Sequence, residues 1–149
     1  MRTMDATTAR PVLRVLAAAG LAVDAYVHIH LASGYDSVTS GSVSQGDLFR
    51  VEAAAAALAA IAILLVRRRI SDLAALVVAL GGVVAVVLYR YVDVGAIGPL
   101  PSMYEPLWYG EKTLSLVAEA IASVAALVLV TTRPRLLTST RENAHALRS

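Results

Sequence analysis

The chain contains no cysteine. Disulfides, cysteine–metal sites and thiol catalysis are therefore excluded. Aromatic residues make up only 5% of its 149 residues and charged residues 16%, where soluble domains carry about 25% charged residues. The net charge is +2, so despite a pI near 9.2 the chain lacks the basic footprint of a nucleic-acid-binding protein. Lysine occurs once, beside twelve arginines. What fills the chain instead is aliphatic. It holds 28 alanines, is 58% hydrophobic and has a mean hydropathy of +0.68, a composition that also excludes a disordered chain.

A membrane-spanning helix needs about 20 mostly apolar residues. Four stretches qualify, at 12–31, 48–66, 73–92 and 113–130, each without an internal proline. A soluble core cannot absorb four such segments in 149 residues, because too little polar chain remains to cover them. The expected fold is all-α: a four-transmembrane-helix bundle over 12–132, preceded by a cytoplasmic segment 1–11 and followed by a polar cytoplasmic tail 133–149 with a weak helical pattern. Ser71 or Asp72 suits the N-cap of the third helix, and Pro106 the first turn of a short interfacial lead-in to the fourth. The first span has the basic flank of a signal peptide, but its apolar run before Asp24 covers only 12–23 and no convincing small-x-small cleavage site follows. It is therefore expected to be retained.

The arginines set an orientation. Arg2, Arg10 and Arg14, then Arg67, Arg68 and Arg69, then Arg133, Arg135, Arg141 and Arg148 fall on one side, ten of thirteen basic residues. Only Arg50, Arg90 and Lys112 lie toward the other. Basic residues stay cytoplasmic, which predicts a multi-pass protein of the cell membrane with both termini inside and outer loops at 32–47 and 93–112.

The aromatic residues are equally one-sided. Tyr26, Tyr35, Phe49, Tyr89, Tyr91, Tyr104, Trp108 and Tyr109 all fall in the predicted outer half or outer loops, whereas membrane proteins usually place aromatic belts at both interfaces. At about 1.5 Å per residue, Asp24 lies roughly 18 Å up the first span, Glu52 roughly 21 Å up the second and Glu119 roughly 17 Å up the fourth. Three carboxylates thus share one layer. Groups at such depth are costly in lipid and usually face a bundle interior or a water-filled cavity. The opposite half of every span is nearly pure Ala, Val, Leu and Ile. The expectation is a bundle closed on the cytoplasmic side, with a polar cup opening outward.

The candidate pocket residues are Asp24, His28, Glu52, Tyr89, Arg90, Asp93 and Glu119. Asp24 and His28 are four apart on one helix face, a pairing that serves a metal ligand, a general base or a plain structural hydrogen bond. His30 projects elsewhere, with Tyr26. Tyr89 and Asp93 share a face, and Arg90 can pair with Asp93, Glu52 or Asp24 in an ion network or hold an anionic headgroup. Lys112, Ser115 and Glu119 line one face of the fourth span, and Glu119, deep in an apolar run, is the most suggestive single residue. Asp24, His28, Glu52 and Glu119 are also the candidate metal ligands, of a kind that suits Zn, Fe or Mn, although no compact metal motif is present. Tyr104, Glu105, Trp108, Tyr109 and Lys112 are candidate parts of a lid over 99–109. Gly81 and Gly82 mark close packing or a flex point in the third span.

The strings VDAYVHIHLASGYD, SQGDLFRVEA, LYRYVDVG and GPLPSMYEPLWYGEK resemble those of an uncharacterised family of small four-helix integral membrane proteins of actinobacteria, over about residues 10–132. In size and topology the chain is also similar to the DoxX-like group, whose members accompany membrane redox systems. The first resemblance implies a four-helix fold and no activity; the second carries over no residues. Three functions are open. The first is a binding or accessory subunit that holds a lipid, a quinone or a partner protein in the cup, alone, as a homo-oligomer or in a larger membrane complex. The second is a membrane-embedded metal-dependent or acid/base enzyme, and the third a proton-coupled carrier acting as an oligomer. A cofactor is not specified, and the lack of a second histidine on another span disfavours a bis-histidine haem within one chain.

Overall fold

The structure is a computed structural model that describes residues 6–132. Residues 1–5, with Arg2, and the tail 133–149, with His145, lie outside the described residues. Four helices follow in order: α1 (Ala6–Ala32), continued by a 3-10 turn at Ser33–Tyr35, α2 (Gln45–Leu65), α3 (Arg69–Tyr91) and α4 (Gly110–Thr131). All four are long and apolar enough to cross a membrane. Among the described residues there is no strand, only isolated bridges between Thr39 and Ser44 and between Ile97 and Leu100 in the two long loops.

Each helix starts before its apolar stretch. In α1 this places Pro11 inside the helix, at the cost of one backbone hydrogen bond. The start of α2 is a capping box: Ser44 Oγ accepts from the Asp47 amide at 3.0 Å, and Asp47 Oδ2 accepts from the Ser44 amide at 3.1 Å. Two expected helix starts are corrected. The N-cap of α3 is Arg68, without a side-chain cap bond, and Ser71 instead donates to the carbonyls of Val66 and Arg68 within the short link from α2. Pro106 opens no helix, since 101–109 is irregular and Tyr109 is the N-cap of α4.

The helices form a ring in the order α1, α2, α3, α4. Helix α1 packs broadly on α2 and α4, and α3 on α4, while α2 and α3 touch least of the neighbours. The core is mostly small residues, among them Ala17, Ala56, Ala59, Ala75, Ala122 and Ala126, with Leu21, Ile63 and Leu129 the large side chains in it. Large aliphatics point outward: Val51, Leu58, Val77 and Val124 are each more than 60% exposed. Small residues inside and large ones outside is the pattern of helices packed in lipid, where burying a Leu between helices gains little over leaving it in acyl chains. Helices α1 and α4 approach closely enough that a Cβ on Gly20 would overlap the Ala118 carbonyl.

At the end where α2 joins α3, called here the arginine end, the aliphatic expectation is corrected. Asp72, fully buried, accepts an ion pair from Arg14 at 2.7 Å and another from Arg10 at 3.2 Å. Arg14 also donates to the Ile63 carbonyl at 2.6 Å, and Arg10 to the Thr132 carbonyl at 2.9 Å. One carboxylate and two guanidinium groups thus tie α1 to α3 and to the C-terminal ends of α2 and α4, where free carbonyls need donors. The other, loop end holds the two long connections and the polar layer.

Candidate functional site

A cavity of about 200 Å³ lies toward the loop end and is lined by residues of all four helices and of the 101–109 segment. Its walls include Val27, Leu31, Leu48, Phe49, Val86 and Met103, and its polar side carries His28, Glu52, Ser115 and Glu119. Helical spacing explains the floor. Asp24 and His28 sit one turn apart on α1, and Ser115 and Glu119 one turn apart on α4, so where these helices pack closely the two pairs meet.

The geometry is tight. His28 Nδ1 lies 2.9 Å from Asp24 Oδ1 and 3.1 Å from the Asp24 carbonyl. Ser115 Oγ donates to Asp24 Oδ1 at 2.6 Å and reaches Glu119 Oε1 at 3.3 Å. Asp24 and Glu119 are both fully buried. One donor atom from each of Asp24, His28 and Glu119 lies within 4.8 Å of the other two. Asp24 Oδ2, Glu52 Oε1 and Glu119 Oε2 are buried without a hydrogen-bond partner among the described residues. Gly82 makes this possible, because a Cβ there would overlap the Glu119 carboxylate. Its neighbour Gly81 faces open space beside the cavity. Of the glycine pair, Gly82 is thus the one that makes room for a side chain.

Residues 101–109 close the loop end by four attachments. Gln45 donates to the Ser102 carbonyl, and the Glu105 amide donates to the Tyr89 carbonyl at 3.0 Å. The buried Lys112 ammonium donates to the carbonyls of Glu105 and Leu107 and stands over the rings of Trp108 and Tyr109. Tyr109 and Tyr35 share a hydroxyl–hydroxyl hydrogen bond of 3.2 Å. Burial, reinforced by the Tyr35 hydroxyl, pushes the Tyr109 phenol well above its ordinary range. Phe49 stands between Tyr35 and His28, 5.0 and 5.3 Å from their rings. The Glu105 side chain points back to the Leu107 amide, and Tyr104 is exposed.

The structure brings Asp24, His28, Glu52, Tyr89 and Glu119 to this cavity or its floor. It places two other candidates apart. Arg90 lies over the rings of Tyr91 and Trp108, at 5.0 and 5.7 Å, and among the described residues it makes no ion pair with Asp93, Glu52 or Asp24. Asp93 is exposed and accepts from the Gly95 amide at 3.0 Å. Tyr26 and His30 stack at 5.7 Å on the outside of α1. Arg50 is held at the surface by both oxygens of Asp36, at 2.7 and 2.9 Å. Sequence reasoning gave no role to Gln45, Phe49 or Met103, which carry no motif. The link from Ser115 to Asp24 crosses 91 positions, and only the four-residue step from Ser115 to Glu119 foreshadowed it.

Compared with known proteins, the chain matches no protein family, no curated protein and no solved structure.

Proposed function

We propose that this is a multi-pass protein of the cell membrane, with both termini cytoplasmic, that binds the polar head of an amphiphile, a quinone or a lipid, under its 101–109 lid. It would act as a binding or accessory subunit, alone or within a larger membrane complex. The orientation rests on the ten arginines gathered at the termini and at 67–69. The observation that carries the binding function is the cavity itself, with apolar walls, a polar floor and contributions from every helix. Its volume of about 200 Å³ falls below the roughly 300–1,000 Å³ of pockets that enclose a whole drug-sized ligand. It suits a head group whose tail leaves between α2 and α3, the neighbours that touch least. With the Ser115 hydroxyl donating to Asp24, the donor open to a carbonyl or ester oxygen is the His28 ring, through the nitrogen that does not face Asp24. The exposed aliphatic faces suit acyl chains or a neighbouring subunit.

The test is organic extraction of protein purified in mild detergent, with mass spectrometry of what is released. One amphiphile should be enriched toward one per chain over the bulk lipid. Ala85, half-buried on the cavity wall, offers a control: Ala85→Phe should abolish the enrichment and leave helical content intact. Extracts that match bulk lipid from both proteins would refute the proposal.

A further inference from the structure

The two buried charge clusters of this bundle are built differently. At the arginine end, Asp72 faces two guanidinium groups. At the cavity floor, Asp24 and Glu119 face each other, with Glu52 near, and the cations within reach are few. Among the described residues, the one ion-pairing contact to these carboxylates is His28 on Asp24. Lys112 lines the same cavity but spends its donors on the Glu105 and Leu107 carbonyls. Arg90 is engaged with aromatic rings.

Among the described residues, three carboxylate oxygens, from α1, α2 and α4, are left buried and without a hydrogen-bond partner around one space. Leaving a buried acceptor unpaired is costly, and more so for a charged one. Two such oxygens belong to fully buried residues, Asp24 and Glu119. A single positive centre between them would satisfy both. The donor set is one imidazole nitrogen with carboxylate oxygens, of which three donors already lie within 4.8 Å of one another. Ser115, bonded to both Asp24 and Glu119, is placed as an outer-shell partner that orients the two carboxylates, the support metal ligands usually have. Gly82 keeps the space beside Glu119 clear.

We propose that Asp24, His28 and Glu119, with Glu52 completing the set, bind one divalent first-row transition-metal ion at the floor of the cavity. Mixed imidazole and carboxylate donors suit Zn, Fe or Mn, and the thiolate and thioether donors that select Cu(I) are not part of the set. The site stands on this donor set alone and does not depend on an amphiphile being bound above it.

The test uses the full chain in detergent, stripped with a chelator and then titrated with Zn²⁺ or Co²⁺ alone. One ion should bind per chain, and Co²⁺ should give the visible bands of a low-symmetry nitrogen and oxygen site. Glu119→Gln should weaken binding by more than about 100-fold, the upper end of what losing an outer-shell partner costs. Ser115→Ala should weaken it by about 10–100-fold. His28→Gln, at the half-buried rim, gives a second ligand variant should Glu119→Gln fail to fold. His30→Ala, on the outer face of α1, should leave binding unchanged. Substoichiometric uptake by the native chain would overturn the proposal, as would uptake that survives both ligand substitutions or is lost on His30→Ala.

Discussion

Replacing Asp72 with leucine removes the acceptor of the arginine-end clamp and leaves Arg14 stranded. The Arg14 side chain is 9% exposed and that of Asp72 is 0% exposed, so solvent does little to screen the pair. After Asp72→Leu, Arg14 keeps its bond to the Ile63 carbonyl and a weak one to Val66 at 3.5 Å, but no counter-charge. Breaking a buried pair in this way costs about 3–5 kcal/mol. Arg14→Leu is the milder change, because Asp72 keeps Arg10 at 3.2 Å, on a side chain that is 25% exposed. Its expected cost is about 1.5–3 kcal/mol, the worth of hydrogen bonds to a charged group. The double variant has no buried charge left to compensate except through Arg10, which can turn to solvent and its Thr132 partner. Replacing a buried ion pair with aliphatic groups is often near neutral, so the double variant should be more stable than Asp72→Leu alone. Reversible unfolding in mixed micelles, read as a double-mutant cycle, measures this. A cost below about 1 kcal/mol for Asp72→Leu would mean that the clamp behaves as a wet surface bridge. Additivity of the two single changes within about 0.5 kcal/mol would mean that the groups do not interact. Either result refutes the reasoning.

Two further outcomes are expected from neighbouring parts of the chain. Gly81→Ala and Gly82→Ala should differ in sign: Gly81 meets nothing within 4 Å and should gain about 0.5–1 kcal/mol of helix stability, whereas the Cβ on Gly82 meets the Glu119 carboxylate and should lose about 1–3 kcal/mol to overpacking; equal effects in the same unfolding assay would contradict the cradle. Asp36, bonded to Arg50 in the loop, is held below the ordinary carboxylate range. A lowered folded-state pKa adds stability above the ordinary aspartate range and loses it as pH falls through the folded value, so Asp36→Asn should flatten part of the acid limb of thermal stability, and an unchanged limb would sink this account.

The helices were legible because their signal is composition over about 20 residues, which tertiary context cannot reverse. Their ends were not, because ends depend on single hydrogen bonds. The Ser44–Asp47 box that starts α2 is a local pattern open to reading. Ser71 was misread as a cap because the same hydroxyl can serve a carbonyl behind it as well as an amide ahead. The depth of Asp24, Glu52 and Glu119 followed from counting residues, since helical rise converts position into height. The azimuth did not follow. Asp72 looked like a cap at the start of an apolar run, but its carboxylate faces α1. Arg10 and Arg14 looked like markers of topology alone. Arg90 looked like a partner for carboxylates at its own height, yet it turns to Trp108 and Tyr91. A loop whose path is set by Lys112 and Gln45 decided that, and loop paths carry no periodicity.

The two polar ends separate what holds this bundle together from what it is built to do. A charge buried for stability is surrounded until its demands are met. Asp72 has two guanidinium partners, and Arg14 has a carboxylate and a carbonyl. Asp24, Glu52 and Glu119 are less fully met: among the described residues each keeps a buried oxygen with neither a hydrogen bond nor a cation on it, whereas Asp72 Oδ1, which also lacks an aligned hydrogen bond, has the Arg14 guanidinium at 2.7 Å. A glycine is placed where any larger residue would displace Glu119, and the aromatic lid is tied down by backbone carbonyls, which leaves the carboxylates free of it. Polar groups this deep cost stability whether or not they are used. A cluster with incomplete compensation among the described residues, in a cavity that the fold keeps open, is the arrangement that the proposed metal ion would complete.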